Sequence, residues 1–196
     1  MEIKRPASSQ PIPSNAKMVF KGVMFDVYQW EQEMFDGSMA TFEKLKRPDT
    51  VVVFAVLPDG RIILTEQEQP GKAPFIGATG GRVDEGEDIL SAAKRELLEE
   101  SGYEAEEFIL WDAEHPTSKI DWVVYTFIAK GVKKVSDMSL DAGERIKLIT
   151  PTFDEFLDIA TNGKMQFAEK EIVGKLIEAK LDPKKKLELQ ELFKPL

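Results

Sequence analysis

The run at residues 50–57, TVVVFAVL, narrows the fold more than any other feature of the chain. A strand with one solvated face alternates apolar and polar residues. A continuous β-branched run is the mark of a strand buried on both faces. Pro58-Asp59-Gly60 follows as a turn, and residues 61–65 read as a strand that pairs back on the first.

The rest of the chain fits around that pair. Residues 1–16 read as a flexible lead-in, because Pro6, Pro11 and Pro13 remove backbone donors. Residues 18–45 read as short strands: Val19, Val23, Phe25, Val27 and Phe42 alternate roughly with polar residues, and Asp36-Gly37 signals a hairpin. Residues 66–86 are rich in Gly and Pro and read as loop with short strand pieces. Residues 88–101 have helical spacing, with Ile89, Ala92, Ala93 and Leu97 (joined by Leu90) as the apolar stripe and Gly102 as C-cap. Strands are expected at 108–113, 122–129 and 146–149. A helix starting at Thr152 or Asp154 runs through Ala160 to Asn162-Gly163, and another covers 168–180. Lys184, Lys185 and Lys186 read as a solvated basic face. No internal repeat is visible. Strands in mixed order with a few helices make an α/β or α+β fold, with helices packed on a mixed sheet. The expected division is a lead-in and N-terminal β segment at 1–47 and a main domain at 48–196.

Composition excludes some functions. The formal net charge of −9 over 196 residues makes the chain a poor partner for nucleic acid, since unneutralised phosphates repel it. A small phosphorylated substrate is not excluded, because a bound cation screens it locally. With no cysteine there are no disulfides and no zinc–thiolate sites, which fits a cytoplasmic enzyme. Residues 1–14 lack the apolar stretch of a signal peptide, and no later run is long enough to cross a membrane. The expectation is a soluble, cytoplasmic protein.

The helix at 88–101 carries an electrostatic oddity. Glu96, Glu99 and Glu100 crowd its last turn, where the helix dipole is already negative, at a cost of about 0.3–1 kcal/mol each. Glu96 and Glu100 are also a like-charge i,i+4 pair. Positions i, i+3 and i+4 share a face, so the three carboxylates converge, and hard oxygen donors clustered in this way suit Mg2+ or Mn2+. A solvated acidic face has the same spacing; the flanking residues decide between the two.

Those residues are Gly81, Glu87, then Arg95-Glu96-Leu97-Leu98-Glu99-Glu100-Ser101-Gly102-Tyr103. The stretch resembles the Nudix box, Gly-x5-Glu-x7-Arg-Glu-(aliphatic)-x-Glu-Glu-x-Gly-(apolar), at every fixed position except the last, where Tyr103 replaces an aliphatic residue. The resemblance implies a Nudix fold, a mixed sheet sandwiched between helices, here with an N-terminal antiparallel β extension. It implies Mg2+ (or Mn2+) held by Glu96, Glu99, Glu100 and the Gly80 carbonyl. Arg95 is expected to hold Glu87 or the catalytic carboxylates through bidentate bonds. The implied reaction is attack of water on a phosphorus of a nucleoside diphosphate linked to another group.

Over residues 18–180 the chain is similar to the ADP-ribose pyrophosphatase and nucleoside diphosphate sugar hydrolase branch. That similarity implies a homodimer whose N-terminal segment swaps between subunits. It also implies a general base on the loop at 140–146, Glu144, with Asp141 as the alternate. The chain departs from the branch at Gln69, where an arginine that contacts phosphate is usual, and at Gly77, where a glutamate is usual. Pro116 lies near a proline of the branch but lacks its glycine. Arg82 or Lys72 is expected to supply the missing charge. Tyr28, Trp30, Phe75, Trp111 and Trp122 are candidates for stacking on a nucleobase, Trp30 first because it lies in the β extension. His115, the only histidine, reads as incidental. The expected substrate is therefore a small nucleoside diphosphate sugar, bound by residues that include Trp30, Arg82, Gln69 and Pro116. The alternatives are hydrolysis of nucleoside triphosphates or dinucleoside polyphosphates, and nucleotide binding without hydrolysis.

Overall fold

The computed structural model describes residues 3–196. Its elements run in the order β1 (Lys17–Lys21), β2 (Asp26–Glu33), β3 (Met39–Lys46), β4 (Thr50–Val56), β5 (Ile62–Glu68), β6 (Phe75–Gly77), β7 (Thr79–Arg82) and α1 (Ile89–Ser101). Then come β8 (Tyr103–Glu104), β9 (Glu107–Glu114), β10 (Ile120–Asp121), β11 (Val124–Lys130), β12 (Lys133–Lys134), β13 (Arg145–Ile149), α2 (Phe153–Thr161), α3 (Lys170–Leu181) and α4 (Pro183–Leu192).

The β-branched run becomes β4, at the centre of a mixed sheet in the order β13-β5-β4-β11-β9, with β6 on β5 and β7 on β4. β4 pairs parallel with β11 and antiparallel with β5 and β7. Its residues alternate between two cores. Val51, Val53 and Ala55 pack with Ala92, Ala93 and Leu97 of α1. Phe54 and Val56 pack with Phe156, Ile172, Leu176 and Leu189 from α2, α3 and α4. Burial on both faces thus follows from one helix on one side of the sheet and three on the other.

The antiparallel extension β1-β2-β3 is closed on the main domain by a short parallel pairing of β3 with β10. The lead-in, expected to be flexible, is held at several of its described residues. Arg5 grips Asp49 through two bonds of 2.9 and 3.0 Å and reaches Asp121 at 3.0 Å. Lys44 donates to Ser8 Oγ at 3.0 Å and to the Gln10 carbonyl. Proline restricts a segment without freeing it, and the partners lie tens of residues away. Met1 and Glu2 lie outside the described residues. The tail also differs from expectation: Lys184, Lys185 and Lys186 belong to α4, which starts from an Asp182 cap with Pro183 in its first turn. Leu189 of that helix is buried in the core.

Candidate active site and metal centre

α1 is fixed at both ends. The Asp88 carboxylate accepts from the Leu90 and Ser91 amides at 3.1 Å each. Gly102 adopts the left-handed conformation (φ 75°, ψ 15°) and donates to the Leu98 carbonyl at 2.8 Å. Beyond it the chain folds back on the helix end: Ser139 N–H donates to the Glu99 carbonyl at 2.8 Å, satisfying one of the orphan carbonyls of the last turn. That bond anchors the segment that leads to Asp141 and Glu144.

These anchors bring Glu96, Glu99, Glu100, Asp141 and Glu144 to one cleft of about 520 Å³, with Gly80, Gly81, Arg82 and Arg95 on its walls. Glycine at 80 is required by close approach, since it has φ 155° and a Cβ there would run into the Val51 backbone carbonyl; Gly81 beside it leaves room for the Glu96 carboxylate. Arg95 spans the acidic wall as expected. It forks onto Glu87 with two 2.9 Å bonds and reaches Glu96 at 2.7 Å, Glu99 at 3.0 Å and the Arg82 carbonyl at 3.0 Å. The Arg95 bonds hold the Glu87 carboxyl below its usual range.

Glu100 is different. It is 4% exposed, and its recorded partner is the Gly80 amide at 2.8 Å. Burial pushes its carboxyl up to about 8, and the charges of Glu96, Glu144 and Glu99 push the same way. Burial raises Glu96 as well, against the pull of Arg95. The three guanidiniums on the cleft walls, Arg47, Arg82 and Arg95, match only half of the six carboxylates that line it, Asp84, Glu96, Glu99, Glu100, Asp141 and Glu144. Among the described residues no three acidic or imidazole side chains converge on a point at ligating distance, and Glu96 and Glu99 both bond Arg95. The donor set is nonetheless all hard oxygen, partly buried and undercompensated, and it fits Mg2+ or Mn2+.

The other expected site residues are scattered. Arg82 lines the cleft and pairs with Asp84 at 3.4 Å. Gln69 lines an adjoining hollow beside Glu144. Trp30 is not at the cleft: it is 7% exposed and packs against Phe42 inside the sheet of the extension. Pro116 is buried and also lies off the cleft wall. Trp111 packs in the core against Phe54 and Phe193. The His115 ring meets the Pro6 carbonyl at 3.1 Å, a contact that fastens the lead-in.

Sequence reasoning missed Arg47. It lines the cleft, lies 4.6 Å over the Trp122 ring, and keeps a buried Nε without a partner. In the sequence it stands in Lys-Arg-Pro-Asp, which reads as a turn; only the fold brings it to the cleft wall.

Residues 46–168 match the family model described as NUDIX domain. The chain is 31% identical over 145 residues to the methanol dehydrogenase activator of Bacillus methanolicus, covering 72% of this chain and 78% of that one. It is 26% identical over 156 residues to the ADP-ribose pyrophosphatase of Bacillus subtilis (strain 168), covering 78% and 84%. A solved structure, described as an ADP compounds hydrolase, superposes with a TM-score of 0.69 at 20% identity over 91% of this chain and 98% of its own.

Proposed function

The chain belongs to the Nudix family as a pyrophosphohydrolase, and from that premise we propose that it splits ADP-ribose or another nucleoside diphosphate sugar into a nucleoside monophosphate and a sugar phosphate, using Mg2+ or Mn2+. The observation that carries this reading is the cleft in which Glu96, Glu99, Glu100 and Glu144 face one another with too little positive charge between them. The name of the B. subtilis relative supports the choice of substrate.

In this reading Glu96, Glu99 and Glu100 hold the cation, with the Gly80 carbonyl as a further ligand. When bound, it lowers the pKa of water and screens charge on the phosphate oxygens. Glu144 takes the proton from the attacking water, with Asp141 as the alternate. Arg95 keeps the carboxylates oriented, and its five donors suit that task better than a lysine's point charge. Arg47 and Arg82, on the cleft walls, stabilise the phosphate oxygens and fill the place left by Gln69.

The protein is further proposed to be a cytoplasmic homodimer. No helix among the described residues is long and apolar enough to cross a membrane. Val19, Phe20, Val23, Phe35 and Met39 of the extension are all more than half exposed, and a second copy would cover them, as in the expected exchange of N-terminal segments. A clean monomer in light scattering would contradict this part.

The test of activity is a product assay over ADP-ribose, other nucleoside diphosphate sugars and nucleoside triphosphates, with and without Mg2+. Nucleoside monophosphate appearing from a diphosphate sugar only with Mg2+ is expected. Turnover of triphosphates alone would move the substrate, and no turnover at all would leave a nucleotide-binding protein. The name of the B. methanolicus relative favours a second reading, in which the chain acts on another enzyme. The retained carboxylates then still make hydrolysis its chemistry.

A further inference from the structure

Arg47 reaches the cleft wall on little support. Its guanidinium lies 4.6 Å over the Trp122 ring and 5.7 Å from the centre of the Phe25 ring. It donates a long 3.5 Å bond to Thr50 Oγ1 and leaves a buried Nε without a partner. Ring faces and a bond at the outer limit of hydrogen bonding restrain a side chain weakly. The place of the guanidinium therefore depends on how residue 47 is set against residue 122.

Those residues lie where the extension meets the main sheet. The parallel pairing of β3 with β10 covers only Leu45 with Ile120 and Lys46 with Asp121. Beyond it the Arg47 amide reaches the Asp121 carbonyl at 3.3 Å. A parallel seam this short has few bonds with which to hold its register.

Arg5 supplies what the seam lacks. Its Nε and Nη2 fork onto the two oxygens of Asp49 at 2.9 and 3.0 Å, and Nη2 also lies 3.0 Å from Asp121 Oδ1. Asp49 stands two residues after Arg47, and Asp121 stands next to Trp122. Asp49 Oδ1 further accepts from the Val123 amide at 2.8 Å, and the Asp49 carbonyl accepts from the amide of Val83, next to Arg82, at 2.8 Å. One side chain of the lead-in thus ties together the segments that flank the Arg47–Trp122 stack. Without it Asp49 and Asp121, whose side chains are only 16% and 19% exposed, would repel one another with little water to screen them.

We propose that Arg5 is a positioning residue for the hydrolytic site: through Asp49 and Asp121 it holds Arg47 against Trp122, where the guanidinium meets a phosphate of the substrate. This rests on the reading of the chain as a nucleoside diphosphate hydrolase whose cleft arginines bind phosphate. The helix that carries Glu96, Glu99 and Glu100 has its own anchors at Asp88 and Gly102. Pro6, Ser8 and Gln10 are held separately by His115 and Lys44, so a change at Arg5 leaves the rest of the lead-in fastened.

Trp122 provides a reporter that needs no ligand. Its Nε1 donates to Thr50 Oγ1 at 2.9 Å, the hydroxyl that Arg47 also meets. The indole N–H resonance of Trp122, identified by its loss in Trp122→Phe, is followed by nuclear magnetic resonance in the full-length protein. Arg5→Ala is expected to move it in the direction that Arg47→Ala does, and the double variant to leave it where Arg47→Ala leaves it. An unmoved resonance in Arg5→Ala, or displacements that add in the double variant, would overturn the proposal.

The same variants are then titrated calorimetrically, in Mg2+, with the α,β-methylene analogue of ADP, whose bridge resists hydrolysis. Arg5→Ala and Arg47→Ala are each expected to bind it about tenfold more weakly, the size of one charge-assisted hydrogen bond. The double variant should bind no more weakly than Arg47→Ala, since Arg5 acts through Arg47. Wild-type affinity in Arg5→Ala, or losses that multiply in the double variant, would overturn the proposal. Arg5→Lys, which keeps the charge without the fork, stands in if Arg5→Ala does not fold, with the same displacement and loss expected. If the resonance moves as expected but wild type does not bind the analogue at millimolar concentration, the hold of Arg5 on Arg47 stands and the proposed activity falls.

Discussion

The Gly80 amide donates a 2.8 Å hydrogen bond to the Glu100 carboxylate, in a cleft that Glu96, Glu99, Asp141 and Glu144 also line. One neutral donor cannot hold a buried carboxylate ionised against desolvation and three nearby like charges. Glu100 is therefore the residue whose substitution best separates a metal ligand from a structural group.

Glu100→Gln keeps the shape and removes the charge. Turnover is expected to fall by about a thousandfold, in line with losing several kcal/mol of metal-assisted stabilisation. Thermal unfolding in EDTA should show stability unchanged or raised. Near-normal turnover would remove Glu100 from the metal site.

The pH dependence of stability without metal follows from the same residue. Its folded-state pKa, about 8, lies above its ordinary value of 4.5. Below about pH 4.5 both states hold the proton and the group is neutral to stability. Between about 4.5 and 8 the unfolded chain releases the proton and the folded chain keeps it, so stability falls as pH rises. Glu96 is shifted in the same direction, whereas Glu87 is shifted down and acts below this window. Urea midpoints from pH 5 to 8 in EDTA should fall more steeply for wild type than for Glu100→Gln. Parallel slopes would refute the assignment of the shift.

Arg95→Lys keeps a charge but loses the fork that joins Glu87, Glu96, Glu99 and the Arg82 carbonyl. A loss of about 1–3 kcal/mol of stability is expected, from buried and charged bonding groups left unpaired. The value of kcat should fall with it. Denaturant titration beside steady-state kinetics checks both, and unchanged stability would show that Arg95 does not organise the acidic wall.

Glu144→Gln is expected to lower kcat by about 10²–10⁴ with little change in folding, since the side chain lies on a loop at the cleft. Asp141→Asn should have the smaller effect. The reverse order would make Asp141 the base.

Much of the local structure was legible. Asp88 and Gly102 bound α1, and the β-branched run became a strand sealed on both faces, because short-range periodicity reports burial directly. The family came from the same spacing. What escaped depends on distant partners. Arg5 finds Asp49 across 44 residues, and nothing local to residues 3–16 signals it. α4 was hidden because three lysines masked an Asp-Pro helix start. At the site, the carboxylates of α1 were readable as a set. Trp30 and Pro116 were not, because chain position does not distinguish a buried ring from one at a cleft. Arg47 required the sheet to be assembled first.

The most direct test of the account is to titrate Mn2+ into the protein, following free ion by electron paramagnetic resonance and ADP-ribose hydrolysis in the same samples. The account predicts that wild type takes up Mn2+ and gains turnover in step with uptake, and that Glu100→Gln loses both. Turnover undiminished in EDTA, or Mn2+ uptake by Glu100→Gln equal to that of wild type, would contradict it.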